Sequence, residues 1–133
     1  MNTNQQLRWV TWWHAIGAAM VLTISAMTLT PADSLIFVFS LWDKLMHFAA
    51  YAVLGAWYVM VLARLHYLKL WAALVTLGIA LELLQGLVPG RLTEGFDMVA
   101  NTLGATAGTA LGLTPWRNFL LTVEQLCQSE RTL

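Results

Sequence analysis

From Trp9 to Leu29 the chain carries no Asp, Glu, Lys or Arg. An uncharged apolar run of about 20 residues is what a helix needs to cross the hydrocarbon core of a bilayer. Three further apolar stretches, 44–63, 70–88 and 98–114, hold at most one such residue each. In lipid a backbone polar group has no water to turn to, so only helices and closed barrels span. The lengths suit helices and are too long for barrel strands. Composition agrees. The 133 residues are 59% hydrophobic and only 11% charged, against about 25% charged in soluble domains.

The spans are expected at about 9–29, 44–63, 70–88 and 98–114. Pro31 closes the first, Arg64 the second, Pro89-Gly90 the third and Pro115 the fourth. A cleaved signal peptide is the rival reading of the first. It is disfavoured because the apolar run is long and the leader has a single basic residue, Arg8. Between the first two spans, Leu35 to Phe39 is too short to cross and should lie in the interface. Residues 116–133 are polar, yet Phe119, Leu120, Val123 and Leu126 recur at helical spacing. The expected fold is therefore all-α: one domain over 1–133, a four-helix membrane bundle with a short amphipathic C-terminal helix.

Four spans put both termini on one side. That side collects Arg8, Arg64, Lys69, Arg117 and Arg131, and the other only Lys44 and Arg91. The positive-inside rule then places both termini and the tail in the cytoplasm. Trp9, Trp12, Trp13, Tyr67, Trp71 and Trp116 mark the cytoplasmic interface and Trp42 the outer one. A net charge of zero implies no attraction to nucleic acid. The lone Cys127 excludes an internal disulfide. In the last span Gly104, Gly108 and Gly112 fall on one stripe, where another backbone can approach closely.

The ionisable residues inside these spans are not scattered. Asp43, Lys44, His47 and Tyr51 open the second span, with Asp43, His47 and Tyr51 on one helix face. Glu82 lies about two turns before Pro89, roughly 10 Å in, and Gln85 follows on the same face. Arg91 and Glu94 belong to the outer loop. Asp97 begins the fourth span, with Asn101 one turn on. All lie at the outer end. Intramembrane ionisable groups face inward and find partners, so these residues are expected to line one outward-opening pocket. Helix capping is the plainer reading of Asp43 and Asp97, which both precede spans. An interhelical pair is the plainer reading of Glu82. Lys44 would simply snorkel to the interface.

His47, oriented by Asp43 or Asp97, is a chemically reasonable acid or base. Arg91, with Lys44, could hold a phosphate or carboxylate. A metal would need His47, Glu82 and Asp97 to converge, and no HExxH-like spacing supports one. No metal or other cofactor is expected. Ser34 and Ser40 lie outside the constellation, which disfavours a serine nucleophile.

The Asp-Lys-x-x-His-x-x-x-Tyr block at Asp43–Tyr51 resembles the first signature of VanZ-like membrane proteins. Glu82-x-x-Gln85, Pro89-Gly90-Arg91 and Asp97-x-x-x-Asn101-x-x-Gly104-x-x-x-Gly108 resemble the second. The likeness runs from Asp43 to about Gly112. It implies a small protein of the bacterial inner membrane. The family is named for a glycopeptide-resistance protein that lowers susceptibility to teicoplanin, which acts at the outer membrane face. By that analogy the pocket would take a membrane lipid, a lipid-linked cell-envelope precursor or a glycopeptide-related ligand. Asp43, Lys44, His47, Tyr51, Glu82, Gln85, Arg91, Asp97 and Asn101 would form it. Arg91 would hold the anion, Glu82 and Asp97 would orient His47, and Gln85 and Asn101 would donate hydrogen bonds. Two other readings stay open: hydrolysis or transfer at a lipid phosphate with His47 as catalytic acid or base, and a non-catalytic packing or docking protein using the glycine stripe. Four short spans are few to enclose a pathway alone, which leaves room for a homo-oligomer.

Overall fold

The computed structural model describes residues 7–31 and 40–129. The interfacial segment expected at Leu35–Phe39, and Arg131, lie outside them. The described residues are all-α, with no strand. Five helices follow in order: α1 (Val10–Thr28), α2 (Ser40–Val61), α3 (Tyr67–Gln85), α4 (Gly95–Ala110) and α5 (Phe119–Ser129). Short 3-10 turns cover Arg64–His66, Leu111–Leu113 and Pro115–Asn118.

Three helices are long and apolar enough to cross a membrane: Val10–Thr28, Leu41–Val61 and Arg64–Gln85. The expected fourth span is shorter than the rest. α4 has 16 residues, or about 24 Å at 1.5 Å per residue, against a core of about 30 Å. Its glycines and threonines also make it the less apolar helix. Two boundaries differ from expectation. α2 begins at Ser40, not Lys44, so Asp43 sits in its first turn and is not a cap. α3 ends at Gln85 rather than Val88. The residues between leave in turns, with Leu87 and Val88 donating to the carbonyls of Leu84 and Gln85. Gly90 follows with φ 78°, the left-handed conformation that glycine takes without a Cβ penalty.

The glycine stripe has a specific use. A Cβ at Gly104 would overlap the Phe48 carbonyl, and one at Gly108 the Ala52 carbonyl. Gly55 on α2 answers, since its Cβ would stand 2.9 Å from the Thr109 nitrogen. α4 is thus seated backbone-to-backbone on α2, and the stripe is spent within the chain. Gly112 continues it, facing the ring of Tyr67. Tyr67 in turn donates to the Val59 carbonyl at 2.8 Å. Tyr51, Leu54, Val59, Tyr67, Leu70, Leu74 and Ala105 form the apolar centre.

α1 is held differently. Among its residues only Gly17 is buried, under the Tyr58 ring. Its start is gripped by the tail. Glu124 of α5 is 3% exposed. It accepts the N–H of Arg8 (2.7 Å), the N–H of Trp9 (3.0 Å) and the indole N–H of Trp13 (2.8 Å). Burial alone would raise the pKa of this carboxyl. Those three hydrogen bonds and the Arg8 charge instead hold it below the usual range. Leu120 is buried beside Leu7, Met60 and Val61, whereas Phe119 and Leu126 of the expected apolar stripe point outward. The start of α1 and the tail helix therefore meet at one end of the bundle. The polar residues gather at the other.

Candidate functional site

α2, α3, α4 and the loop before α4 bring the polar residues to the end of the bundle opposite the termini. His47 stands at the centre, on the α2 face towards α4. Its Nδ1 lies 3.1 Å from Asn101 Oδ1. A carbonyl oxygen only accepts, so Nδ1 carries the proton and donates. Nε2 is turned to two carboxylates, Asp43 Oδ2 and Asp97 Oδ2, each 4.0 Å away. Asp97 is 2% exposed. It lies in the first turn of α4, where the N-cap position is Glu94. Neither acid expected to cap a helix does so. Both sit within a first turn, where the helix dipole still favours negative charge.

Lys44 is not a loose interfacial cation. Its Nζ reaches Glu94 Oε2 at 2.7 Å and Asp97 Oδ1 at 3.3 Å. Asp97 Oδ1 makes no hydrogen bond, so the ion pair with Lys44 is what answers it. Glu94 was placed in the outer loop from sequence but given no role. Its only sequence signal is its position one helical turn before Asp97.

Glu82 makes no hydrogen bond to His47. α3 ends early, so Glu82 lies one turn from the helix end, not two. The carboxylate is 1% exposed and turns towards the loop: Oε1 accepts the Glu94 backbone N–H at 2.7 Å. Gln85, oriented to satisfy its neighbours, donates to Glu82 Oε2 at 3.2 Å and accepts from Arg91 Nη1 at 3.1 Å. Arg91 Nε also donates to the Thr30 carbonyl at 3.2 Å, at the far end of α1. Glu82, Gln85 and Arg91 thus form a relay that fastens the loop and one end of α1. Asn101 accepts from His47 through Oδ1.

A cavity of about 390 Å³ opens beside this cluster, between α1 and α2. Ile24, Met27, Met46 and Val53 supply an apolar wall, and Asp43, His47, Tyr51, Gln85 and Arg91 a polar one. The Tyr51 hydroxyl is buried and has no hydrogen-bond partner. Of the nine expected site residues, five line the cavity. Lys44, Asp97, Asn101 and Glu82 stand behind that wall and hold it.

The family model described as VanZ/LLP1 matches residues 2–121. The chain belongs to the VanZ/LLP1 family. The match extends beyond the two signature blocks to α1 and the start of the tail helix. With three helices fit to cross a bilayer, this VanZ-like chain is a membrane protein. No curated protein and no solved structure matches it. Both signature blocks of the VanZ/LLP1 chain meet in three dimensions: the Asp43–Tyr51 block supplies Lys44 and His47, and the second block supplies Asp97 and Asn101 against them.

Proposed function

We propose that the protein lies in the bacterial inner membrane with both termini in the cytoplasm, and that its cavity binds a lipid-linked cell-envelope ligand from the outer leaflet. The observation that carries this reading is the division of the cavity walls. An apolar side of methionine and branched aliphatic residues suits a hydrocarbon chain. Across it, Arg91 and the Tyr51 hydroxyl offer donors to a polar head, with His47 beside them. Pockets of this size with few convergent polar groups are the usual form of small-ligand sites. Family membership supports an envelope role by analogy, and a glycopeptide-related ligand falls within the same class.

The reading is tested with purified protein in detergent and a polyprenyl phosphate, with phosphatidylglycerol as the comparison lipid, by native mass spectrometry. Retention of the polyprenyl phosphate is expected in wild type and reduced in Tyr51→Phe and Arg91→Ala. Equal retention of both lipids by all three proteins would defeat the reading.

One observation favours an enzymatic alternative. His47 is held in a single tautomer by Asn101, with Nε2 between two carboxylates, as a general acid or base would be. Hydrolysis or transfer at the lipid phosphate would then be lost in His47→Gln while ligand retention survives. Loss of both together counts against turnover.

A further inference from the structure

We propose that Asp43, His47 and Asp97 form a binding site for a divalent first-row metal ion of the zinc or manganese type. One ligand atom from each of the three lies within 4.8 Å of the other two. An ion about 2.0–2.2 Å from each donor sets such atoms about 3–4 Å apart. The two His47 contacts already meet that spacing at 4.0 Å. The Asp43 side chain is 43% exposed and free to swing the remaining distance.

Three observations point to a ligand here. The first is the histidine itself. Asn101 Oδ1 takes up Nδ1, which leaves Nε2 as the ring atom that faces the two carboxylates at 4.0 Å each. In the neutral ring Nε2 is an acceptor, and three acceptors facing one another call for a positive charge among them. A ring nitrogen donating to an amide oxygen while the other faces acidic groups is the usual arrangement behind a metal-ligating histidine.

The second is the balance of charge. Asp43, Glu82, Glu94 and Asp97 are four carboxylates, and the cations in contact with the cluster are Lys44 and Arg91. With a neutral His47 the surplus is two negative charges; Glu82 and Asp97 are buried, where uncompensated charge is costly, and Asp43 and Glu94 are half-exposed. One divalent ion balances the surplus. The third is Tyr51. Its buried hydroxyl lacks a partner and lines the same cavity as Asp43 and His47.

Mixed imidazole and carboxylate donors suit zinc, iron and manganese better than calcium or copper(I). Three protein ligands leave coordination positions open towards the cavity. A phosphate oxygen would fill one of them. That bridge rests on the lipid-linked reading above; the metal site does not. It also resolves a conflict in that reading, because a pocket with surplus negative charge would otherwise repel an anionic head group.

The test uses tag-free, full-length protein stripped by chelator and titrated with zinc chloride and then manganese chloride by calorimetry, with bound metal counted by mass spectrometry. One zinc per chain is expected. Binding should vanish in His47→Gln and Asp43→Asn, persist in His66→Gln, and weaken about 10- to 100-fold in Asn101→Ala, which removes only the orienting partner. Asp43 is half-exposed, so Asp43→Asn keeps the test valid if the other variants melt early. Zinc and manganese binding no greater than in His47→Gln would overturn the site. So would a nitrogen NMR spectrum showing His47 doubly protonated in the stripped protein and unchanged by either metal. Polyprenyl phosphate retention is then repeated with and without zinc. Retention that rises with zinc supports the bridge. Retention unchanged by a demonstrably bound zinc removes the bridge and leaves the metal site standing, and no retention in either state removes the lipid reading alone.

Discussion

Replacing Glu82 by Leu should destabilise the bundle, and the size of the loss follows from what the carboxylate holds. Oε1 accepts the Glu94 N–H at 2.7 Å, and Oε2 the Gln85 amide at 3.2 Å. Leu leaves both donors buried without acceptors. Each stranded donor costs about 1–3 kcal/mol, so the pair costs about 2–6 kcal/mol. Removing a buried carboxylate relieves part of its desolvation. That relief is limited here, because both oxygens are hydrogen-bonded and Arg91 answers the charge through Gln85. A net loss of about 2–4 kcal/mol is expected. Glu82→Gln retains an acceptor for the Glu94 N–H and should lose about 1 kcal/mol or less. Equilibrium unfolding in mixed micelles gives both numbers. Hydrogen exchange at the Glu94 amide gives the cause: its protection should disappear in Leu and survive in Gln. A Leu variant as stable as wild type, with that amide still protected, would refute the anchoring role. The acid would then be kept at a cost to stability, for a ligand.

Gly108→Ala places a methyl group on the Ala52 carbonyl. Neither backbone can yield without parting α2 from α4, so a loss of about 1–3 kcal/mol is expected in the same assay. Glu124→Gln weakens the grip on α1 and should cost about 1–2 kcal/mol at neutral pH, the range of a lost helix cap. Because the folded Glu124 carboxyl titrates below its ordinary value near 4.5, its stabilisation is complete above that value. It is lost as the pH falls through the lower folded one. Wild type should therefore converge on Glu124→Gln on acidification below about pH 4.5, and a gap unchanged at pH 3 contradicts the account. For orientation, a cysteine replacing Thr93 should react with an impermeant thiol reagent in intact cells, and one replacing Asn118 should not. The reverse pattern inverts the topology.

Much of the site was legible because helical spacing is a strong geometric rule. Asp43 and His47 four apart, and Asp97 and Asn101 four apart, each define one face, and their common position at one end of the chain's spans brings the faces together. The hydrogen bonds of Glu82 were not legible for a local reason. Pro89 is the visible stop signal, but the backbone leaves the helix at Gln85, and Glu82 Oε1 meets the loop at the Glu94 N–H. No periodicity encodes the path of a loop, so the Glu94 contacts with Lys44 and Glu82 were invisible. Glu124 was hidden more deeply. Its partners include the backbone N–H groups of Arg8 and Trp9, which carry no residue signature. The glycine stripe announced a close approach without saying to what, and only the carbonyls of Phe48 and Ala52 supply the answer.

The grip of Glu124 on the start of α1 bears on the order of assembly. A ribosome delivers α1 to the bilayer before α2, α3 and α4, yet the carboxylate that fastens its start is made more than a hundred residues later. Until then α1 is placed by Gly17 under Tyr58, by the Trp57 indole that donates to the Trp13 carbonyl at 3.2 Å, and by Met20, Val21 and Ile24 packed on the apolar centre. At its other end it waits for Arg91, also late in the chain. The helix made before the others thus receives its last tie from the tail. A nascent chain halted before Glu124 would hold the α2–α4 core with the start of α1 unfastened, a state that the quality-control proteases of the membrane could distinguish from the finished protein.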